Sequence, residues 1–322
     1  MFLVLAFSLC YNIPVAKEKD GGVFQKRKDR KMKNTKRRTT SLLAGILSAI
    51  FIFSLAAIPA AASSDTKSAS PSYESIPITL DGKKILGASA YLIGGNTYVP
   101  LRAFSDAIGN YEISWNDYTR TATVKKGDDL YISATPGKQY ISVNGRYFYT
   151  VGEILNVEGR LYVPIRPLAK AFALELEWDN ATRSVSLKST GQRTKWANEV
   201  YNTDDLYWLS RIINAESGQE PMLGKIAVGN VVLNRKRSSQ YPNTIYGVIF
   251  DRKHGLQFSP VGNGTIYNTP NTDSVIAAKI CLEGYSLSND ILFFLNPRIA
   301  TSFWIVNNCT FVFSIGRHDF YK

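Results

Sequence analysis

From about residue 76 to residue 190 apolar and polar positions alternate in short runs, and after residue 203 the spacing becomes helical. Around Ile78 and Leu80 the alternation runs into Asp81-Gly82, which reads as a strand entering a hairpin turn. The pattern then returns. Ile78-Thr-Leu-Asp-Gly82 recurs as Ile141-Ser-Val-Asn-Gly145, and Tyr98-Val-Pro-Leu-Arg102 as Tyr162-Val-Pro-Ile-Arg166. Trp115 and Arg120 recur as Trp178 and Arg183, and all offsets are 63 or 64 residues. So steady an offset is an internal repeat. Each copy places a short helical stretch after Tyr-Val-Pro (Leu101 to Ile108, Ile165 to Phe172) and ends on a strand, Thr121 to Val124 or Ser184 to Leu187. Each is a small αβ unit whose apolar face needs its twin.

Residues 188–202 are polar and lack a period, which marks a linker. Beyond it Leu206, Leu209 and Ile213 stand 3 and 4 apart, with Ile212 widening the stripe, so an amphipathic helix is predicted. Asp204 or Asp205 suits its N-cap and Gly218 its stop. One further step of 3 from Ile213 lands on Glu216. A carboxyl on the inward face is desolvated, its pKa rises, and it stays protonated near neutral pH as a general acid requires. A glutamate at a helix end can also turn to water. On position alone Glu216 is a candidate.

Charge changes the picture less than its total suggests. The net charge is +12, but residues 1–62 hold 11 Lys and Arg against 3 Asp and Glu. What remains is nearly balanced, which leaves no nucleic-acid footprint. Within those residues, Lys33, Lys36, Arg37 and Arg38 precede an apolar run from Leu42 to Leu55, and Pro59 precedes Ala60-Ala61-Ala62. That order predicts a secretory signal cut before Ser63, with initiation at Met32; a permanent anchor is the alternative. Residues 63–75, rich in serine, read as a flexible lead-in. Cys281 and Cys309 permit one disulfide or two free thiols. The only histidines are His254 and His318, fewer than the three ligands of a zinc amidase and far short of a copper oxidase cluster. No metal and no cofactor are implied.

The other polar candidates have structural readings beside functional ones. Glu220 before Pro221 suits a cap on the following helix, Asp273 the first turn of another, and Glu283 before Gly284 a surface position. Gln257-Phe258-Ser259 follows a loop of the kind that shapes binding grooves. There Phe258 offers a stacking face and Gln257 a hydrogen-bonding amide to a ligand, or Phe258 is core and Gln257 caps a turn. Asn296 before Pro297 and His318 near a glycine turn complete the set.

Two resemblances join these residues. Tyr-Val-Pro-Leu-Arg and Trp-Asn-Asp, with their repetition, resemble the copper amine oxidase N-terminal-like domain over about residues 76–190. This implies a spacer or binding module. Ile213-Asn-Ala-Glu216-Ser-Gly-Gln-Glu-Pro221, Gly224 to Asn234-Arg235, Gln257-Phe-Ser259, Asn296-Pro297 and Ile315-Gly-Arg-His-Asp-Phe-Tyr321 occur in that order. Together they resemble the SleB/CwlJ-type cell wall hydrolases over residues 204–322, with Arg317 where many relatives carry a small polar residue. That resemblance implies a mostly helical, lysozyme-like domain cutting the MurNAc–GlcNAc linkage of peptidoglycan, with Glu216 as acid/base. It also implies substrate binding by Gln257, Phe258, Ser259, Asn296 and His318.

The expected fold is therefore α+β in two domains. A leader and signal (1–62) and a lead-in (63–75) precede a duplicated αβ module at 76–190, with halves 76–126 and 138–190. A linker (191–203) then leads to a lytic domain at 204–322. The expected protein is secreted to the cell wall or spore cortex. Its partner is peptidoglycan, with no nucleic acid and no membrane after signal removal, and the repeat domain binds wall polymer or another protein. A non-catalytic wall-binding protein, an N-acetylmuramoyl-L-alanine amidase and a glucosaminidase are the alternatives.

Overall fold

The computed structural model describes residues 74–322 apart from Ala88 and His254. The leader, the signal and the lead-in up to Tyr73 lie outside the described residues. The first strands, β1 (Ile78–Leu80) and β2 (Lys83–Ile85), form the hairpin expected at Asp81-Gly82. Its turn residues have φ of 49° and 79°. Two successive positive φ values make a type I′ turn, whose twist matches the flanking strands and which Asp-Gly tolerates.

β3 (Tyr91–Ile93) and β4 (Asn96–Pro100) make a second hairpin, and helix α1 (Leu101–Ile108) starts directly after Pro100. Proline has no N–H to continue the ladder, so strand gives way to helix there. β5 (Glu112–Asn116), β6 (Thr121–Lys126) and β7 (Leu130–Ala134) follow. Then come β8 (Tyr140–Val143), β9 (Arg146–Tyr149), β10 (Leu155–Val157) and β11 (Arg160–Pro164). Helix α2 (Ile165–Ala171), β12 (Leu174–Asp179) and β13 (Ser184–Ser189) end the region.

Every sheet here draws strands from both halves: β12-β13-β1-β2, β10-β11-β4-β3 and β5-β6-β7-β8-β9. Tyr98-Val-Pro100 runs antiparallel to Tyr162-Val-Pro164 with Val99 opposite Val163, and β1 lies parallel to β13. One core joins Ile78, Val99 and Phe104 of one half with Ile141, Val163 and Leu168 of the other. Neither half buries its apolar face by itself.

The segment between the two regions is anchored. It contains α3 (Ala197–Val200), and Thr194 is buried with its hydroxyl donating to Ala171 O at 2.8 Å. Asn144 Nδ2 donates to Thr194 O at 2.9 Å, and Ala197 N donates to Asn144 O at the same distance.

The second region is built on α4 (Thr203–Ser217), α5 (Met222–Arg237) and α8 (Thr272–Leu282), with α6 (Ile245–Phe250) and α7 (Ser259–Asn263) between them. β14 (Phe293–Leu295), α9 (Trp304–Asn308), β15 (Phe311–Ile315) and β16 (His318–Tyr321) complete it, with strand order β14-β16-β15. The three long helices meet at Gly229 of α5, where a Cβ would lie 2.7 Å from Cys281 Sγ and 2.9 Å from Ile213 Cδ1. Cys281 and Cys309 are free thiols.

The two regions are tied together at Glu283, which corrects its reading as a surface residue. Its side chain is 5% exposed and accepts from Arg146 twice at 2.7 Å, from Lys170 Nζ at 2.8 Å and from Tyr201 Oη at 2.8 Å. Burial by itself raises its pKa, but the bonds from Arg146, Lys170 and Tyr201 outweigh it and hold the carboxyl below its ordinary value. Glu283→Ala leaves Arg146 buried without its partner, a loss of about 3 kcal/mol in urea unfolding. A carboxyl with a depressed folded pKa contributes fully at neutral pH and loses its contribution as pH falls through that value. Glu283→Gln therefore flattens the acid limb of the stability profile. At Gly229, alanine overpacks the helix junction and costs about 2 kcal/mol by the same measurement.

Candidate active site

The site starts with the end of α4. Asn202, not Asp204 or Asp205, caps this helix: its Oδ1 accepts from Asp204 N at 2.9 Å and Asp205 N at 3.0 Å. The two aspartates occupy the first turn, where they complement the helix dipole. Leu209, Ile212 and Ile213 are fully buried, so the inward stripe brings Glu216 to a half-buried position one turn later. That last turn is fastened to the start of α8. Asn271 N donates to Asn214 Oδ1 at 3.0 Å, and Asn271 Nδ2 donates to Gly218 O at 3.1 Å.

Glu216 and Ala215 line a cavity of about 480 Å³. Its other walls are Arg235 of α5, residues 256–259, β14 with the following segment from Asn296 to Ile305, and His318 of β16. Among the described residues, Glu216 is the only carboxyl lining it, and no cation forms an ion pair with it. Burial pushes the Glu216 pKa up to about 7, with Arg235 pulling in the opposite direction. At neutral pH a large share of the carboxyl therefore holds its proton.

Arg235 escaped the sequence reading as a site residue. It is buried, its Nε donates to Leu292 O at 2.7 Å, and its guanidinium lies over the rings of Tyr241, Phe258 and Phe293 at 5.1 to 5.4 Å. The signal was available in the spacing. Arg235 stands 4 after Val231 and 7 after Val228, on a buried stripe of α5.

The other expected residues meet at this cavity with different degrees of freedom. Gln257 accepts from Arg235 Nη1 at 3.4 Å and donates to Gly255 O at 3.3 Å. Phe258 is 3% exposed and packed in the helical core beneath Arg235, so it forms a wall and offers no open stacking face. Ser259 opens α7. Asn296 lines the cavity while its Oδ1 accepts from Arg298 N at 3.1 Å. His318 is buried edge-on to Phe294 at 5.4 Å, and its Nδ1 has no hydrogen-bond partner. Burial lowers its pKa, opposed by the charge of Glu220. His254 is outside the described residues.

Glu220 does not cap α5, whose N-cap is Pro221 without a side-chain bond. It is buried and accepts from Arg317 N at 2.9 Å, gripping the turn between β15 and β16. The capping expectation failed because the partner comes from the far end of the chain. Asp273 stands in the first turn of α8 as expected, and Asn271 caps that helix by accepting from Ser274 N at 2.8 Å. Among the described residues, no group of three or more His, Cys, Asp and Glu is gathered in a way that could hold a metal ion.

With this geometry in place, comparison with known proteins separates the two regions. Residues 219–321 match the family described as Cell Wall Hydrolase. The C-terminal region is a cell wall hydrolase domain. Its matched span starts three residues after Glu216. Residues 79–187 match the copper amine oxidase N-terminal domain. The spore cortex-lytic enzyme of Bacillus cereus is 37% identical over 122 residues, 38% of this chain and 46% of that protein. Its counterpart in Bacillus subtilis is 34% identical over 120 residues, 37% of this chain and 38% of that protein. The chain thus spans less than half the length of these relatives. The catalytic domain of the germination-specific lytic transglycosylase SleB from Bacillus anthracis is 37% identical, covering 38% of this chain and 97% of that one, with a TM-score of 0.35.

In the cell wall hydrolase domain the buried cation beside the acid is directly testable. Arg235→Met removes the charge that lowers the Glu216 pKa, so Glu216 titrates above about 7. Side-chain carboxyl NMR across pH 5 to 9 checks the shift, with Arg235→Lys moving it less.

Proposed function

We propose that this chain is a secreted peptidoglycan-lytic enzyme that cleaves the MurNAc–GlcNAc backbone of cell wall or spore cortex, acting as a lytic transglycosylase. The observation that carries this reading is Glu216. It is a carboxyl with a pKa raised to about 7 by burial, in the wall of a 480 Å³ cavity, three residues before the cell wall hydrolase match. The relatives named as spore cortex-lytic enzymes support the substrate class.

The chemistry needs one acid that becomes a base. Glu216 protonates the leaving glycosidic oxygen as the bond to the muramic acid C1 breaks. The resulting carboxylate takes the proton of the muramic 6-hydroxyl, whose oxygen closes a 1,6-anhydro ring on C1. The usual glycosidase pair requires a second carboxyl about 5 to 10 Å away, as nucleophile or as the base that activates water. The presence of Glu216 alone among carboxyls lining the cavity favours the intramolecular nucleophile. Gln257 supplies polar contacts for N-acetyl and hydroxyl groups, with the His318 ring in the wall beside it. Ser259 and Asn296 line the same space, and Phe258 backs it.

In this reading residues 204–322 form a mostly helical, lysozyme-like lytic domain, and 76–190 a duplicated αβ module that binds wall polymer or another protein. The signal at residues 32–62 directs export. Among the described residues no helix is long and apolar enough to cross a membrane.

Digestion of spore cortex and vegetative peptidoglycan with residues 63–322, followed by mass spectrometry, tests this function. Anhydro-muramyl products from the parent, and at least a 100-fold loss in Glu216→Gln, are expected. Cleavage falls as pH rises through about 7, because the acid form disappears. Reducing-end sugars would mean a hydrolase, and free peptide stems with intact glycan would overturn the reading.

A further inference from the structure

Helix α4 carries a second feature that the chemistry at Glu216 does not use. Trp208, half-buried, is surrounded edge-on by Tyr207, Tyr246, Phe250 and Tyr267, with ring centroids 4.9 to 6.2 Å away. Tyr246 stacks on Phe250 at 4.4 Å. The outer rings are open to solvent: Tyr207 is 42%, Tyr246 53% and Tyr267 60% exposed. Contiguous exposed aromatic surface on a folded domain marks an interaction site.

Its place on the helix connects it to the cavity. Trp208 precedes Ala215 by seven residues, and Ala215 lines the cavity beside Glu216. Seven residues are two turns less about 20°, so the two lie on one side of α4, about 10 Å apart along its axis. That is about the length of a disaccharide. Phe250 ends the helix that leads into the cavity loop at Leu256, and Tyr267 follows the helix that starts at Ser259.

We propose that the face formed by Trp208, Tyr246 and Tyr267 is a carbohydrate subsite that holds a glycan strand extending out of the Glu216 cavity. The inference rests on the glycan-cleaving reading above. A pyranose offers one ring face of C–H groups and a rim of hydroxyls. Flat rings with hydroxyl tips match both, and every sugar in a strand presents such a face. Arg211 stacks its guanidinium on Tyr207 at 3.7 Å and so holds that ring at the edge of the platform. A subsite one disaccharide from the scissile bond holds substrate and transition state equally, so it lowers KM for long strands without changing kcat.

The test uses Tyr246→Ala/Tyr267→Ala in residues 63–322, with Tyr246→Phe/Tyr267→Phe as the control that keeps the rings. In the Glu216→Gln background, binding to peptide-free MurNAc–GlcNAc strands is expected to weaken about 10-fold in the alanine pair. The phenylalanine pair is expected to retain most of it. With Glu216 intact, KM for those strands rises about 10-fold in the alanine pair, and kcat and cleavage of the shortest accepted fragment hold. Equal binding of long strands by parent and alanine pair, both folded by thermal unfolding, overturns the subsite while leaving the Glu216 reading standing. A parent that binds strands through these tyrosines and never cleaves them overturns the Glu216 reading and leaves the subsite.

Discussion

Three helices can hold a carboxyl away from water only if they approach closely, and here that approach depends on an absent side chain. At Gly229, α5 lets Ile213 of α4 and Cys281 of α8 into the space a Cβ would occupy. Ile213 is the residue one turn before Glu216, so the contact that closes the helical core also fixes the phase of the turn that carries Glu216. The hydrogen bonds from Asn271 to Asn214 and Gly218 then keep that turn from unwinding toward solvent. A general acid for pH 7 needs a destabilised carboxylate, and destabilisation costs fold stability unless the surroundings are rigid. Burial near 7 is thus a property of the packing and not of the glutamate.

Arg235 limits how far that burial goes. Without that countercharge the carboxyl would hold its proton to still higher pH. The guanidinium is charged, buried and almost fully committed, to Leu292 O and to three aromatic faces. It therefore acts on Glu216 through its field without neutralising it as a direct partner. In the proposed mechanism one group serves as acid and then as base, which suits a pKa near the working pH, and the two opposing influences leave Glu216 at about 7.

What was legible in the chain follows the range of the interaction. The Asp81-Gly82 hairpin, the helical stripe and the inward phase of Glu216 depend on neighbours within a few residues, and local spacing reports them. Glu283 and Glu220 were misjudged for one reason: their partners lie far off in sequence. Arg146 and Lys170 reach Glu283 from a strand and a helix more than 110 residues earlier, and Arg317 N reaches Glu220 from 97 residues later. A glutamate beside glycine or proline has the same local signature whether it is solvated or holds two domains together. Phe258 shows the converse, since its apolar identity suits a sugar platform and a core wall equally and only packing separates them. Arg235 was the one miss that spacing could have prevented.

The turn between β15 and β16 shows how a distant carboxyl shapes the cavity without lining it. Gly316 has φ of 61°, and a Cβ there would strike Glu220 Oε2. The backbone must therefore pass within contact distance of the carboxylate, and only glycine allows both the conformation and the approach. Arg317 meets Glu220 twice: its backbone N–H donates to Oε2 at 2.9 Å, and its largely exposed side chain brings Nε to 3.6 Å from Oε1. The next residue is His318. Glu220 thus sets where β16 begins, and with it the place of the imidazole in the cavity wall, while its charge opposes the effect of burial on that ring. One carboxyl at the start of α5 orients the last strand of the chain, and another at the end of α4 stands in the wall of the cavity that this strand helps to close.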